Sequence, residues 1–220
     1  MGWLRRTTVV LVSVAGLAVP IAPLAAASQA APAQTRQAGV LTDCSATFFD
    51  GDKRLGPEEL PLVGPVGVQL VGYLRTGLET PAQFLAQYYD PAAGSWRYPP
   101  DNGYVIGPDG QPIEHQTVLY PGQNIDRYGS EYGSFLAPQG TPYAERAIPP
   151  QSLDGTPAAG CNYHTYRVLR PFTVDSGPIA AWFAQPGGGA QYQLDASLVP
   201  GAPTALNVLW LVDNGYLARG

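Results

Sequence analysis

Short apolar runs alternate with turn residues along the chain from residue 97 onward. Proline- and glycine-rich turn signals recur about every ten residues between 108 and 189. Runs of strand-like composition lie among these turns, at 104–106, 117–120, 134–136, 163–169, 179–183 and 191–194. Evenly spaced short strands are typical of an antiparallel sheet or a partial barrel. We therefore predict an α+β fold with a mainly antiparallel β-sheet core, short flanking helices and a loop-rich N-terminal extension.

A capping pattern predicts one helix in the front part of the chain. Thr80 stands at the N-cap position, Pro81 at the first helical position and Gln83 at the third. This is the arrangement of a capping box, in which two side chains satisfy free backbone N–H groups at the helix start. We expect the helix to end before Pro91, with three residues on its inner face, Phe84, Leu85 and Tyr88.

A second helix is predicted near the C-terminus, over residues 205–213. Thr204 is the expected N-cap, and the Asn214-Gly215 pair is typical of a helix end. Three apolar residues at helical spacing form the expected inner face, Leu206, Leu209 and Val212.

The N-terminus has the pattern of a secretory signal peptide. Two arginines precede an apolar run over 8–19, and the small residues after it offer cleavage sites between Ala27 and Ala33. A membrane anchor is the alternative, but the run is short for ~30 Å of hydrocarbon and is followed by Pro20. We predict a signal peptide over 1–33 and a secreted, extracellular protein.

Cys44 and Cys161 are the two cysteines of the chain. In an oxidising compartment two cysteines most simply form one disulfide, which we predict here. Use of Cys161 as a nucleophile, with His164 nearby in sequence, is the alternative.

Composition narrows the range of partners. Charged residues make up only 13% of the chain, and the formal net charge is −5. Neither a basic nucleic-acid groove nor a polybasic membrane patch is expected from such a balance. Lys53 is the only lysine among twelve basic residues, so each arginine is a candidate for specific anion binding. No histidine or cysteine spacing typical of a zinc site occurs.

Two arginines and a histidine are candidate site residues. Arg127 follows Asp126, and Arg146 follows Glu145. A guanidinium can bind a phosphate or a carboxylate through two parallel hydrogen bonds, and an ion pair on the surface is the alternative for each arginine. His164 lies in a strand-like run, in which successive side chains alternate between two faces. It is a candidate site residue, and a purely structural histidine is the alternative.

Three consecutive glycines, Gly187-Gly188-Gly189, form the most unusual segment of the chain. Glycine lets a backbone adopt positive φ and approach a ligand closely, although a hairpin loop uses the same property. A strand-like run follows instead of a helix, so the segment is neither a Rossmann nor a P-loop phosphate site.

Five segments occur in this order along the chain: YPPDNGY at 98–104, DRYG at 126–129, GTPYAERAIPP at 140–150, YHTY at 163–166 and WFAQPGGGAQY at 182–192. Taken together, this series resembles the tuberculosis necrotizing toxin (TNT) domain family of NAD⁺ glycohydrolases. The resemblance covers residues 97–219. It implies a TNT-like domain over 97–220, preceded by an N-terminal extension over 34–96.

The resemblance implies hydrolysis of the nicotinamide–ribose bond of NAD⁺, and of NADP⁺, with nicotinamide and ADP-ribose as the products from NAD⁺. NAD⁺ is then the substrate, and no cofactor is expected. The calcium site of the fungal members is not expected either, because Asp213 is the only acidic residue near this C-terminus. The sequence leaves open whether the protein forms a homodimer or meets a protein inhibitor, and whether it acts as a toxin or as a scavenger of extracellular NAD⁺.

Matched by motif, the catalytic residues that the resemblance implies are Arg127, Gln191 and His164. The implied substrate-binding residues are Phe135, Arg146, Gly188 and Gly189. We expect both arginines to bind the phosphates, Gln191 to orient the ribose or a water, and Phe135 to stack near the nicotinamide ribose. The residue before Gln191 is alanine in this chain, where the family has threonine.

Two other functions remain open on the sequence. One is an exported, non-catalytic, β-rich module that binds a glycan or a protein. The other is ADP-ribosyl transfer or cyclisation, which differs from hydrolysis in what attacks the ribosyl cation. Convergence of Arg127, Arg146 and Gln191 on one cleft would favour the enzyme over the binding module.

Overall fold

An antiparallel sheet lies at the centre of the structure, a computed structural model that describes residues 41–220. The strands are β1 (Tyr89–Asp90), β2 (Ser95–Trp96), β3 (His115–Leu119), β4 (Asn124–Tyr128), β5 (Phe135–Pro138), β6 (Tyr163–Val168), β7 (Phe172–Pro178), β8 (Ala190–Gln193) and β9 (Leu217–Arg219). Within residues 41–220, β1 and β2 form a separate ribbon, and seven strands form one sheet in the order β3-β7-β8-β5-β4-β6-β9. All the strand pairs are antiparallel, which confirms the predicted fold class.

Predictions for the first 40 residues lie outside the described part of the chain. They concern the signal peptide over 1–33 and the first residues of the extension, 34–40. None of the helices within residues 41–220 has the length and apolar composition needed to cross a membrane.

Alternation along β4 divides the buried side chains between two faces. Ile125 faces a large apolar cluster that includes Tyr166 and Leu211. Tyr128 faces the opposite way and packs with Tyr143 and the two cysteines. Two separate hydrophobic clusters therefore pack against β4, one on each face.

The front helix forms as the sequence predicts. The described helices are α1 (Gly64–Gln69), α2 (Pro81–Tyr88) and α3 (Val208–Asp213). Both halves of the capping box of α2 are present: the Thr80 side chain accepts from the Gln83 N–H, and the Gln83 side chain accepts from the Thr80 N–H. Phe84 and Tyr88 are buried on its inner face.

The predicted start of the C-terminal helix is wrong. α3 begins at Val208 and is capped by Asn207, whose Oδ1 accepts a 3.0 Å hydrogen bond from Trp210 N–H. The N–H groups of Val208 and Leu209 donate to carbonyls of Gly133 and Glu131, so the entry of the helix is set by a distant loop. Val208 and Leu211 are the buried residues of α3, whereas the predicted Leu209 and Val212 are only partly buried. The third predicted residue, Leu206, is buried but precedes the helix.

Two of the predicted strands, 104–106 and 179–183, have only isolated bridges, such as the one between Tyr104 and Ile179. The strand that pairs in their neighbourhood is β7, which the sequence did not predict. Its apolar signal is short, because Phe172 and Val174 are the only large apolar residues among polar and small ones. Burial of Ser176 and Gly177 within the sheet extends the strand beyond that signal.

Cys44 and Cys161 form the predicted disulfide, with their Cα atoms 5.2 Å apart. Both cysteines are buried. The bond joins the N-terminal segment, which we define as residues 41–96, to the residues that lead into β6. It also excludes Cys161 as a free nucleophile in this state.

Candidate functional site

A cleft of about 370 Å³ lies where β4, β5 and β8 meet two loops, residues 98–103 and 146–149. Four of the predicted site residues line it: Arg127, Phe135, Arg146 and Gln191. Because β4 pairs with β5 and β5 pairs with β8, the sheet brings together residues from segments that are far apart in sequence. The two arginines and the glutamine thus converge on one cleft, as the enzyme interpretation requires.

Arg127 contributes a guanidinium that has no counterion among the described residues. Its Nε and Nη1 donate to the carbonyls of Ser130 and Phe135, both at 2.7 Å. These contacts fix the plane of the guanidinium without neutralising it, and no carboxylate within residues 41–220 comes within 4.0 Å of it. Burial lowers the pKa of Arg127, although a guanidinium remains charged at neutral pH. The charge is therefore free to attract an anion.

Asp126 forms its ion pair with Arg146, and Arg127 is not its partner. Alternation along β4 places the side chains of Asp126 and Arg127 on opposite faces, so neighbours in sequence are separated in space. Asp126 Oδ1 lies 2.7 Å from Arg146 Nη2, in ionic contact without the alignment of a hydrogen bond. Its Oδ2 accepts 2.8 Å hydrogen bonds from Gly140 N–H and from the hydroxyl of Tyr163. The ion pair is buried, not on the surface as the alternative interpretation had it.

Arg146 is held on three sides. Besides its contact with Asp126, its Nε donates to the carbonyl of Thr141 at 2.9 Å, and its Nη2 donates to Oε1 of Gln69 at 3.0 Å. The guanidinium lies 5.1 Å from the ring centre of Tyr128. Nη1 makes no hydrogen bond with any residue in the described range. A buried pair of this kind is costly to break, about 3–5 kcal/mol when one partner is removed.

Charges around the cleft favour an anionic ligand. Asp126, Arg127 and Arg146 are the charged residues that line it. Because Asp126 and Arg146 neutralise each other, the charge of Arg127 is left over. Within residues 41–220, no group of three or more histidine, cysteine, aspartate or glutamate side chains is arranged to hold a metal ion.

Gln191 presents a buried amide at the start of β8. Only 7% of the residue is exposed, and its Nε2 donates to the carbonyl of Asn102 at 3.0 Å. Asn102 has a left-handed backbone, with φ 54°, and this conformation turns its carbonyl toward β8. The donor end of the amide is thereby engaged, and the acceptor end, Oε1, is the part available to a ligand hydroxyl or a water.

Aromatic residues stand on two sides of the cleft. Phe135 is 36% exposed and belongs to β5, and Tyr98 is 63% exposed and belongs to the loop over 98–103. Partial burial raises the pKa of Tyr98, and the nearby charge of Arg127 opposes that rise. Tyr98 and Asn102 are not among the predicted site residues, although both lie in the YPPDNGY segment. Their position in that motif is the signal in the sequence that points to them.

His164 lies beside the cleft residues without lining the cleft. It is the cross-strand partner of Arg127 in the pairing of β4 with β6. Its Nε2 lies 3.3 Å from Oδ1 of Asn162. Burial lowers the pKa of His164, and the charge of Arg127 acts in the same direction, while Glu131 opposes it. The imidazole of His164 is therefore neutral near pH 7, on the strand next to Arg127. Its catalytic role stays a prediction.

Gly188 and Gly189 also lie outside the cleft lining. Gly188 N–H donates to the carbonyl of Ile179 at 2.8 Å, and Gly189 N–H donates to the carbonyl of Glu145 at 3.1 Å. A Cβ at Gly189 would lie 2.9 Å from that same carbonyl oxygen. Gly189 thus allows the chain to pack closely against residues 141–146, and binding of substrate by either glycine stays a prediction.

The sequence of this chain is similar to a known protein family and to a fungal enzyme. A family model described as tuberculosis necrotizing toxin matches residues 118–219. The chain is also 44% identical over 176 residues to the conidial surface nicotinamide adenine dinucleotide glycohydrolase of Aspergillus fumigatus. That alignment covers 79% of this chain and 71% of the fungal protein.

Solved structures give two more distant likenesses. Tuberculosis necrotizing toxin, in complex with its immunity factor, has 21% identity and a TM-score of 0.47, over 64% of this chain and 71% of the toxin. The Rhs1 C-terminal toxin, in complex with its cognate immunity protein, has 15% identity and a TM-score of 0.29, over 38% of this chain and 71% of the toxin chain. Both likenesses are too distant to carry an inference about this chain.

Proposed function

This chain belongs to the tuberculosis necrotizing toxin family, and from that premise we propose that its cleft binds NAD⁺ and hydrolyses the bond between nicotinamide and ribose. The protein is a NAD⁺ glycohydrolase that releases nicotinamide and ADP-ribose. One observation carries the assignment of the site: an uncompensated guanidinium, a buried amide and an exposed aromatic ring meet in one cleft, contributed by Arg127, Gln191 and Phe135.

The reaction makes modest demands on acid–base groups. When the C1′–N bond breaks, nicotinamide takes the bonding electron pair and leaves as a neutral molecule, so it needs no proton. A cationic ribosyl centre with oxocarbenium character remains, a water oxygen adds to C1′, and one proton is lost to solvent. The site must hold the substrate, stabilise that cation and place the water, as transition-state binding requires.

The diphosphate of NAD⁺ is the group that fits Arg127. A guanidinium whose plane is fixed by two backbone carbonyls can offer its remaining N–H groups to phosphate oxygens. Arg146 contributes a hydrogen-bond donor, Nη1, while its own charge is balanced by Asp126. Arg127 therefore supplies the net attraction, and Arg146 supplies a fixed contact.

Gln191 and the aromatic residues act on the ribosyl end in this proposal. With Nε2 engaged by the Asn102 carbonyl, Oε1 of Gln191 accepts from a ribose hydroxyl or from the attacking water. Phe135 stacks near the nicotinamide ribose, and Tyr98 covers the cleft from the opposite loop. The apolar rings exclude bulk water, which strengthens the polar contacts inside.

Incubation of the purified protein with NAD⁺ tests the proposal. We expect nicotinamide and ADP-ribose in equal amounts by chromatography. Arg127→Ala and Gln191→Ala are each expected to lower kcat/KM by about 100-fold or more, the effect of removing one preorganised polar group from an active site. Arg167→Ala is the matched control, because Arg167 is exposed on β6 and makes no ion pair with any described residue.

Three results would contradict parts of the proposal. Nicotinamide release without free ADP-ribose would indicate a transferase or a cyclase. No turnover by the folded, oxidised protein would favour the binding module. Full activity in a folded Gln191→Ala variant would remove Gln191 from the catalytic residues.

We also propose that the protein uses NADP⁺ and that it is exported from the cell, two properties that family membership alone does not establish. The Cys44–Cys161 disulfide supports an extracellular location, because such bonds persist in oxidising compartments. The fungal relative is named as a conidial surface protein, which supports the same location. NADP⁺ in place of NAD⁺ in the same assay tests the substrate range.

A further inference from the structure

Gln69 brings the N-terminal segment into contact with the floor of the cleft. It is the last residue of α1 and only 2% exposed. Its Oε1 accepts from Arg146 Nη2 at 3.0 Å, and its Nε2 donates to the carbonyl of Pro65 at 3.1 Å. Because one end of the amide must accept and the other must donate, both contacts would be lost if the amide turned over.

The backbone of Gln69 holds the same loop as its side chain. Its carbonyl accepts a 2.7 Å hydrogen bond from Tyr143 N–H, three residues before Arg146. On the other side of this loop, the carbonyl of Glu145 accepts from Gly189 N–H, two residues before Gln191. Residues 143–146 are therefore held between α1 and the start of β8.

We propose that Gln69 is a positioning residue for the glycohydrolase reaction and that it acts through Arg146. The contact with Asp126 balances the charge of Arg146, and the hydrogen bond from Nε to the Thr141 carbonyl fixes one edge of the guanidinium. The hydrogen bond to Gln69 fixes Nη2 as well and so directs Nη1 toward the diphosphate of a bound substrate. This inference rests on the proposed function, and it makes the N-terminal segment part of the active site.

Gln69→Met tests the role, because methionine has a similar length but offers no amide. We expect KM for NAD⁺ to rise roughly tenfold, the effect of one lost hydrogen bond to a charged group, with kcat within about twofold of wild type. The affinity for ADP-ribose, measured by calorimetry, is expected to fall by the same factor. If Gln69→Met does not fold, Gln69→Asn serves instead, because its shorter side chain does not reach Arg146.

A double variant separates positioning from general stability. Arg146→Lys keeps a positive charge for Asp126 but lacks the Nη2 that Gln69 contacts. In that background, adding Gln69→Met is expected to change KM by less than about twofold, since the coupled pair is already broken. A further tenfold rise would show that Gln69 acts by another route and would overturn the inference.

Gln185→Met is the matched control. Gln185 is 5% exposed and donates to the carbonyl of Leu74 at 2.6 Å, so it attaches the same segment without touching Arg146. We expect its KM and ADP-ribose affinity to match wild type even if its Tm falls. An equal KM rise in Gln185→Met, or none in Gln69→Met, would overturn the inference. An inactive wild type would overturn the proposed function instead, while the ADP-ribose affinities would still decide the role of Gln69.

Discussion

Arg127 and Gly133 occupy one small volume beside the cleft. A Cβ built on Gly133 would overlap Nη2 of Arg127, and it would lie too close to the other guanidinium atoms as well. The backbone of Gly133 is not in the left-handed region, so the need for glycine here comes from contact and not from φ. The bare backbone at this position is what lets Arg127 lie flat between Ser130 and Phe135.

Gly133→Ala is therefore expected to act as a mutation of Arg127 without changing any ligand-binding side chain. Displacement of the guanidinium by about 1 Å should lower kcat/KM by roughly tenfold to 100-fold. Overpacking should also lower the free energy of unfolding by about 1–3 kcal/mol. Gly160→Ala is the control, because a Cβ there meets no atom within 4 Å. Steady-state kinetics of a folded Gly133→Ala variant at the wild-type level would contradict this account.

Elements that are remote in sequence hold the loop between β4 and β5. The first two N–H groups of α3 donate to the carbonyls of Gly133 and Glu131. The side chain of Glu131 accepts from Arg219 in β9, at 2.6 and 2.9 Å, and from the hydroxyl of Tyr166. The Arg219 contact is the main cause that lowers the pKa of Glu131. The C-terminal helix and strand thus support the loop that joins the strand of Arg127 to the strand of Phe135.

The cap of α3 distinguishes the structure from the sequence prediction. Asn207→Ala is expected to lower the free energy of unfolding by about 1 kcal/mol, because Trp210 N–H would lose its side-chain acceptor. This corresponds to a fall in Tm of roughly 2–4 °C for a chain of this size. Thr204→Ala, which changes an exposed residue outside the helix, is expected to leave Tm unchanged. A larger shift for Thr204→Ala than for Asn207→Ala in thermal unfolding would restore the original assignment.

At the scale of the whole molecule, the N-terminal segment is tied to the remainder by contacts along its length. The disulfide fixes its beginning, Gln185 holds the carbonyl of Leu74, and Trp96 Nε1 donates to Gln151 Oε1 at 2.9 Å. The cross-linked residues are 117 positions apart. Cross-links over long loops restrict the unfolded chain most, in the chain-entropy description.

Reduction of the disulfide is expected to lower the free energy of unfolding by about 4–5 kcal/mol. Tm should fall by roughly 10–20 °C, measured by calorimetry with and without a thiol reductant. The double variant Cys44→Ser/Cys161→Ser should show the lower Tm in both conditions. If the reductant lowered the Tm of the wild type by no more than it lowered the Tm of this variant, the disulfide would not stabilise the protein.

The features that could be predicted from the sequence depend on few residues, most of them close together in the chain. The cap of α2 needs only residues 80–83, and the disulfide needs only the two cysteines and an oxidising compartment. The start of α3 escaped prediction because its first N–H groups bond to a loop some 75 residues earlier in the chain, which no local pattern reveals. Gln69 escaped for the same reason, since its partner Arg146 is 77 positions away.

The sequence by itself determined the fold class, the helix α2, the disulfide and the family, because propensities, turns and motifs are written in neighbouring residues. It also named Arg127, Phe135, Arg146 and Gln191, which meet in the cleft. Only the tertiary structure decided which charges are balanced. Alternation along β4 points the side chains of Asp126 and Arg127 to opposite faces. Because the 141–146 loop packs against α1, Arg146 lies within reach of Asp126 and forms the ion pair with it. The positive charge of Arg127 is therefore left to attract the ligand.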